Sequence, residues 1–392
     1  MTQRGVAGIL VAFVTILIGV AIFFVWHMQR KPPVPLPTWD GAVWAPNNWD
    51  SMELLDVDDD GSLLVAFYDG TRQIDSYTGE KYNVGEQPGI VLVTPDGASH
   101  VLSEPAALDA SSAGWVTGSV HHGSIAVAWQ VLNDAIGPDG SMQYGSSGRT
   151  VEVATGTVEG LSDIPGPTID GSHVVIESGG LYVADGALVA MTVDEGPASA
   201  SVHHLGLLDP TTGAIAVIES GAFYPATRDL CDPEGATFGV PKVVDRKLVE
   251  FQFRVTAGHA SAMSVVPKPL VEGNFMPLNA CGAGNAGLLL EDHTLYWTDG
   301  HGETSSSVIG YVAGDVFLGP TWAVVRVLDF KGADLKDMER RVVVVDRTTR
   351  EVTTVGGSCS RVVPAGDWLA FGIPDGDRCV PVAVRVSTLL TP

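Results

Sequence analysis

From Trp39 onward, short apolar runs alternate with polar, turn-forming clusters, and the runs come in pairs. In each pair an almost wholly apolar strand is followed, after a loop, by a second strand and a tight turn. Gly61 to Tyr68 precedes Gly89 to Asp96, Gly123 to Leu132 precedes Arg149 to Thr155, and Asp185 to Val193 precedes His204 to Pro210. Lys247 to Val255 precedes Ala262 to Pro267, and Leu288 to Thr298 precedes Val308 to Asp315. Thr321 to Asp329 precedes Arg341 to Asp346, and Asp367 to Pro374 precedes Val380 to Ser387. Runs such as LLVAF (63–67) and VVVV (342–345) lack the alternation of a one-sided sheet, which predicts strands buried on both faces.

The clearest unit is Arg341 to Phe371, which reads as strand, tight turn, strand, loop, strand. A turn opened by Asp recurs in kind at Asp209 to Gly213, Asp346 to Arg350 and Asp75 to Gly79. The Asp carboxylate accepts turn amides there, and Gly at the fifth position permits positive φ. Repetition of short strands at about 40 to 60 residues is the pattern of a β-propeller. The fold class is therefore all-β, a propeller of six or seven blades. Seven pairs favour seven, and a cramped fifth unit leaves six open. Trp39 to Ala45 is placed to supply the outer strand of the last blade, which closes the ring and removes two sheet edges.

Through DGSLLVAF (60–67), DPTTGAIAVI (209–218) and VVVVDRTTREVTTV (342–355), the chain resembles the TolB-like and quinoprotein-like propeller repeat proteins over about residues 50 to 390. The resemblance implies a fold and a tendency to bind partners or small ligands on the faces of the ring. It carries no catalytic residue across.

Ahead of the repeats, residues 6–26 carry no charge, and 21 residues at about 1.5 Å each span about 31 Å, the thickness of a bilayer's hydrocarbon core. The segment ends Phe23-Phe24-Val25-Trp26-His27 with no small-residue cleavage site, so it reads as an uncleaved signal anchor. Residues 1–5 are then a cytoplasmic stub, 27–38 a proline-rich stalk favouring polyproline II, and 39–392 the propeller domain. Arg4 is balanced by Arg30 and Lys31, so charge does not set the orientation. Long domains translocate regardless of flanking charge, and paired cysteines suit an oxidising compartment. Together they place the domain outside the cytoplasm, and the absence of glycosylation sequons fits a bacterial cell envelope.

Composition adds a partner class to exclude. Asp and Glu number 46 against 22 Lys and Arg, and the formal charge of -24 repels a phosphate backbone, so nucleic acid is not an expected partner. The one basic concentration, Gly332 to Arg341, is helix-compatible and reads as a surface segment.

Asp56, Asp58 and Asp60 followed by Gly61 spell D-x-D-x-D-G, the spacing at which alternate carboxylates converge on Ca²⁺. The same residues also suit an Asp-Gly hairpin turn, since Leu64 and Phe67 stand where further ligands belong. Ser-Val-His-His occurs at 119–122 and 201–204, and adjacent histidines of a strand point to opposite faces, so one of each pair is placed to line the channel, where a metal could bind; the other reading is two unrelated loop histidines. Gly282 to Gly287 matches G-x-G-x-x-G without the parallel strand and helix that a dinucleotide site needs, and reads as a loop. Cys231, Cys281, Cys359 and Cys379 allow three pairings, and proximity favours Cys231 with Cys281 and Cys359 with Cys379.

The expected work is binding, of a protein or an envelope ligand, on one face of the ring. The alternative is a propeller enzyme, a metal-dependent hydrolase or lactonase-like protein, with its site at the central channel. Asp, Glu and His gathered at one mouth of the channel would favour the enzyme. A channel plugged by apolar side chains would favour binding.

Overall fold

A computed structural model describes residues 36–390 apart from positions 47, 50, 69–72, 75–80, 134–148, 195–201, 222–226, 233, 246, 268–274, 282–283, 290–293, 299–303, 309–311, 331–337 and 377. The expected membrane segment at 6–26 lies outside the described residues, as does the turn at Asp75 to Gly79. Among the described residues no helix is long and apolar enough to cross a membrane.

The described strands form seven antiparallel sheets, most of their neighbouring strands being consecutive in the chain. Sheet 1 runs from inner to outer strand as Ser51–Val57, Leu63–Tyr68, Gly89–Val93 and Ser99–Ser103. Sheet 2 contains Ala106–His121, Ser124–Asn133, Arg149–Thr157 and Gly160–Ile164, with Lys81–Gln87 and Gln73–Ile74 added beside its first strand. Sheet 3 contains Ser172–Ala184, Ala187–Asp194, His203–Leu208 and Ile215–Gly221, with Thr168–Ile169 at its edge. Sheet 4 contains Thr227–Arg228, Thr237–Val244, Lys247–Thr256 and His259–Pro267. Sheet 5 contains Phe275–Cys281, Gly284–Leu289, Thr294–Thr298 and Thr304–Val308. Sheet 6 contains Val312–Leu318, Trp322–Phe330, Met338–Asp346 and Val352–Gly357. Sheet 7 contains Val363–Ala365, Trp368–Asp375 and Arg378–Arg385, and its outer strand is Val43–Trp44.

The packing between sheets makes this a propeller. Along Leu63–Tyr68 every residue is buried, and the two parities enter different cores. Leu63, Val65 and Phe67 meet Trp368, Ala370 and Ala383 of sheet 7, whereas Leu64, Ala66 and Tyr68 meet Val120, Ile125 and Val127 of sheet 2. Val343 and Val345 likewise join Leu295 and Trp297 of sheet 5, while Val342 and Val344 join Leu369 and Val382 of sheet 7. Further shared cores link sheet 2 to sheet 3 and sheet 3 to sheet 4. Strands Thr237–Val244 and Phe275–Cys281 touch between sheets 4 and 5. Neighbouring sheets therefore pack face to face in succession, as the blades of a propeller do.

Closure occurs where the pattern placed it. Val43 pairs with Ala383 and Trp44 with Val382, so a strand from the start of the domain completes the last sheet. Trp39 reinforces the seam by stacking on Trp44 and meeting Phe371 edge-on. A single short helix among the described residues, Val386–Leu390, turns Val386 and Leu389 into the same core.

Four sequence expectations are corrected. Lys247–Thr256 is the third strand of its sheet, because Gly239 and Pro241 break the apolar run of the second strand, Thr237–Val244, and hide it. The pair at 288–298 and 308–315 crosses a sheet boundary, since Thr294–Thr298 belongs to sheet 5 and Val312–Leu318 to sheet 6. At the end of the helix-compatible segment, Met338 begins a strand that pairs along its length with Trp322–Phe330, and this cross-strand pairing overrides helical propensity. The second half of the Gly-rich 282–287 stretch is also strand, from Gly284.

Cys359 and Cys379 are joined as expected, with Cα atoms 5.7 Å apart, stapling the approach to sheet 7 onto its third strand. Cys231 is disulfide-bonded, while the side chain of Cys281, its expected partner, lies outside the described residues. Closing a loop of 20 residues contributes about 3 kcal/mol in the chain-entropy model. Replacing Cys359 and Cys379 by Ser together should lower the unfolding free energy by about that amount, measured in urea. An unchanged midpoint would show that the native contacts of sheet 7 hold this loop without the bond.

Candidate functional site

The inner strands turn polar groups toward the axis of the ring, and these groups bridge one sheet to the next. Asp56 of sheet 1 accepts the amide of Val120 in sheet 2 through Oδ2 at 2.9 Å. Ser119 of sheet 2 accepts the amide of Val183 in sheet 3 at 3.1 Å and the Arg228 guanidinium of sheet 4 at 3.4 Å. Arg228 also donates to the Val183 carbonyl at 2.7 Å. Arg361, just ahead of sheet 7, donates to the carbonyls of Leu54, at 3.0 Å, and Leu55. Those made by Arg228 and Arg361 are charge-assisted bonds that tie neighbouring sheets together. Burial raises the Asp56 carboxyl above the usual range, opposed by the charges of Arg228 and Arg361. Burial also pushes the half-buried Tyr182 phenol up to about 12.

At one end of the channel lie the turns between first and second strands. Those of sheets 1, 4, 6 and 7 come together around one mouth. In sheet 1 the turn is Asp58-Asp59-Asp60-Gly61, closed by Asp58 N–H to Ser62 O at 2.8 Å and Gly61 N–H to Asp58 O at 2.9 Å. Gly61 is needed here, with φ +95° and the Trp368 ring 2.6 Å from where a Cβ would stand.

The three motif carboxylates make separate contacts. Asp56 serves the Val120 amide, and Asp60 accepts the Ser62 amide at 2.7 Å. Asp58, 4% exposed, reaches across to the matching turn of sheet 2. Its Oδ1 accepts the amides of Asp59 at 2.8 Å and His122 at 2.9 Å, and its Oδ2 accepts Gly123 at 3.0 Å.

That second turn revises the histidine expectation. His122 has φ +48° and is a turn residue, not a strand residue, so the alternation of faces ends at His121. Both rings lie on the same side, stacked with centroids 4.0 Å apart. His121 Nδ1 lies 3.8 Å and His122 Nε2 3.6 Å from Asp59 Oδ2. The other pair separates as expected of a strand: His203 faces Glu177 at 2.9 Å, and His204 faces Asp194 at 3.0 Å. The two pairs do not meet at a common point on the axis.

Beside these turns opens a cavity of about 220 Å³, lined by Asp59, Arg228, Asp229, Asp232, Pro320 and Gly366, among others. Its walls come from sheets 1, 4, 6 and 7. Asp229 and Asp232 also organise the turn of sheet 4, accepting the amides of Cys231 and Glu234 at 2.8 and 3.1 Å. Asp59, Arg228, Asp229 and Asp232 escaped the sequence reading. Asp59 is the even position inside a motif read at its odd positions, and the His-Gly pair at 122–123 was the available sign of a turn.

No protein-family model matches the chain, and neither does any curated protein sequence. Among solved structures, one of a prolyl endopeptidase is 12% identical with a TM-score of 0.48, and the match covers 86% of this chain but only 47% of that one. The β-propeller domain of the Trilobed protease from Pyrococcus furiosus is 11% identical with a TM-score of 0.43, covering 88% of this chain and 100% of that one. TolB from Acinetobacter baumannii is 11% identical with a TM-score of 0.34, covering 69% and 79%. The TolB-like resemblance expected from the sequence thus has its counterpart among the structural neighbours.

Two outcomes are expected. Asp58→Ala should cost about 2–4 kcal/mol, because it strips three amides of a charged acceptor, and Asp58→Asn about half of that. Urea unfolding decides this, and equal midpoints for both variants and the parent would overturn it. The second concerns pH. The folded chain keeps the Tyr182 proton that the unfolded chain gives up near pH 10, so this contribution is intact below pH 10 and lost as pH rises toward about 12. Tyr182→Phe should flatten the alkaline fall in stability by no more than about 2 kcal/mol. An unchanged slope would mean the phenol titrates normally.

Proposed function

We propose that this protein is a seven-bladed β-propeller, tethered to the cell membrane by residues 6–26 and exposed outside the cytoplasm, that binds a protein or small ligand at the mouth formed by its first turns. The cavity of about 220 Å³ carries this reading. It is assembled from turns distant in sequence and brought together by a rigid ring, which is how a scaffold presents a composite recognition surface. The apolar length of 6–26 supports the tether, and the Cys359–Cys379 disulfide supports an oxidising compartment.

A second reading, a propeller hydrolase, is favoured by one observation: Asp59, His121 and His122 gather at the same mouth. In that case lactone or ester hydrolysis should be measurable, and His122→Ala should abolish it.

For the binding reading, a photocrosslinking residue in place of Pro320 at the mouth should give discrete adducts in whole cells. The same residue in place of Asp245, in a turn at the opposite end of sheet 4, should not. Equal adducts at both positions, or none at either, would sink the reading. Location is checked by a membrane-impermeant thiol reagent on intact cells. Labelling of Cys359 and Cys379 only after reduction is expected, and free thiols reached only after lysis would place the domain in the cytoplasm.

A further inference from the structure

We infer that Asp59, His121 and His122 form a binding site for a divalent transition metal of the Zn²⁺ class at the channel mouth. The inference concerns the metal alone and stands whether the mouth binds or hydrolyses its ligand.

His121 carries the argument. The residue is 3% exposed, and its Nε2 lies 2.9 Å from the carbonyl of Glu234. A carbonyl only accepts, so Nε2 is the nitrogen that donates to it, and Nδ1 is the one left to act as a ligand. That atom is buried without a hydrogen-bond partner. It faces Asp58 Oδ1 at 4.0 Å and Asp59 Oδ2 at 3.8 Å. A buried ring nitrogen without a partner, this close to two carboxylates, is placed to share a cation with them.

Distance favours a metal ion over a shared proton. A charge-assisted hydrogen bond here would be about 2.8 Å long. Ligands of a tetrahedral metal, each about 2.0–2.1 Å from the ion, stand about 3.4 Å from one another. The observed 3.6 and 3.8 Å lie near that spacing, and all three ligand atoms fall within 4.8 Å of one another. Donor type selects the ion. Two imidazoles with one carboxylate suit Zn²⁺ and its first-row neighbours, whereas Ca²⁺ takes six to eight oxygens.

The surroundings are built to hold these ligands. The Glu234 carbonyl orients the His121 ring, as an outer-shell partner does for a metal-bound histidine. Gly235, with φ +59°, lets the chain pass where a Cβ would sit 2.8 Å from His121 Cε1. Asp58 leaves the metal to its neighbour and spends its oxygens on the turn amides that fix His122 and Asp59. Asp59 also lines the cavity, so coordination positions not taken by the chain open toward bound ligand.

The test is isothermal titration of the chelator-stripped full chain, in detergent, with ZnCl₂ and separately with CaCl₂. One Zn²⁺ per chain is expected, with no comparable uptake of Ca²⁺. His122→Ala, whose side chain is 65% exposed, should leave the thermal midpoint of the stripped chain unchanged yet weaken Zn²⁺ by about tenfold or more. Asp59→Asn should do likewise, Gly235→Ala should weaken binding by displacing the His121 ring, and His204→Ala should change nothing. X-ray absorption of the loaded chain should show imidazole nitrogens at about 2.0 Å. Absence of stoichiometric Zn²⁺ binding, affinity undiminished in His122→Ala, or Ca²⁺ bound as tightly as Zn²⁺ would each overturn the inference.

Discussion

Burial of the middle strands on both faces, complete along Leu63–Tyr68, is the constraint on which the molecule depends. A residue such as Leu64 or Val344 is fully buried because a second sheet lies against it, and its neighbours Leu63 and Val345 are buried against a third. The hydrophobic effect therefore acts between sheets as well as within them, and along these strands no face is left on which to place chemistry. Polar groups are left with the axis and the turns. The axis uses them structurally, as Arg361 holds the carbonyls of Leu54 and Leu55, and the turns use theirs to fix their own backbone and that of the next sheet, as Asp58 does.

Much of this was legible in the sequence, for a physical reason. Two-sided burial removes polar alternation, so runs such as LLVAF and VVVV announce both the strand and its environment. Where a sheet bends from that rule the reading failed: Gly239 lies against the Glu250 side chain and Pro241 interrupts the run, so Thr237–Val244 was invisible. Closure at Val43–Trp44 was legible because an aromatic-rich strand ahead of the first repeat has one partner available. The mouth was not legible, because it depends on one backbone angle. His121 and His122 face the same way only through the positive φ of His122, and sequence alternation assigned them to opposite faces.

The mouth also shows how one carboxylate fixes the geometry of another sheet. Asp58 leaves sheet 1 and ends on the amides of the sheet 2 turn, so the placement of His122 is set from outside its own strand. Low dielectric strengthens such bonds and penalises any buried polar atom left out of them, as His121 Nδ1 is. Structure and unmet valence thus arise from the same desolvation.

The seam has a mechanical meaning. Any force applied to the chain ahead of Leu36 enters the ring through Trp39, the Trp39–Trp44 stack and a strand of two residues, Val43–Trp44. The interior strands of the ring are loaded only after that fastening yields. The part of the propeller that closes it is therefore its fuse under tension, and rupture there would expose the outer edge of Arg378–Arg385 while the other six sheets keep their pairing.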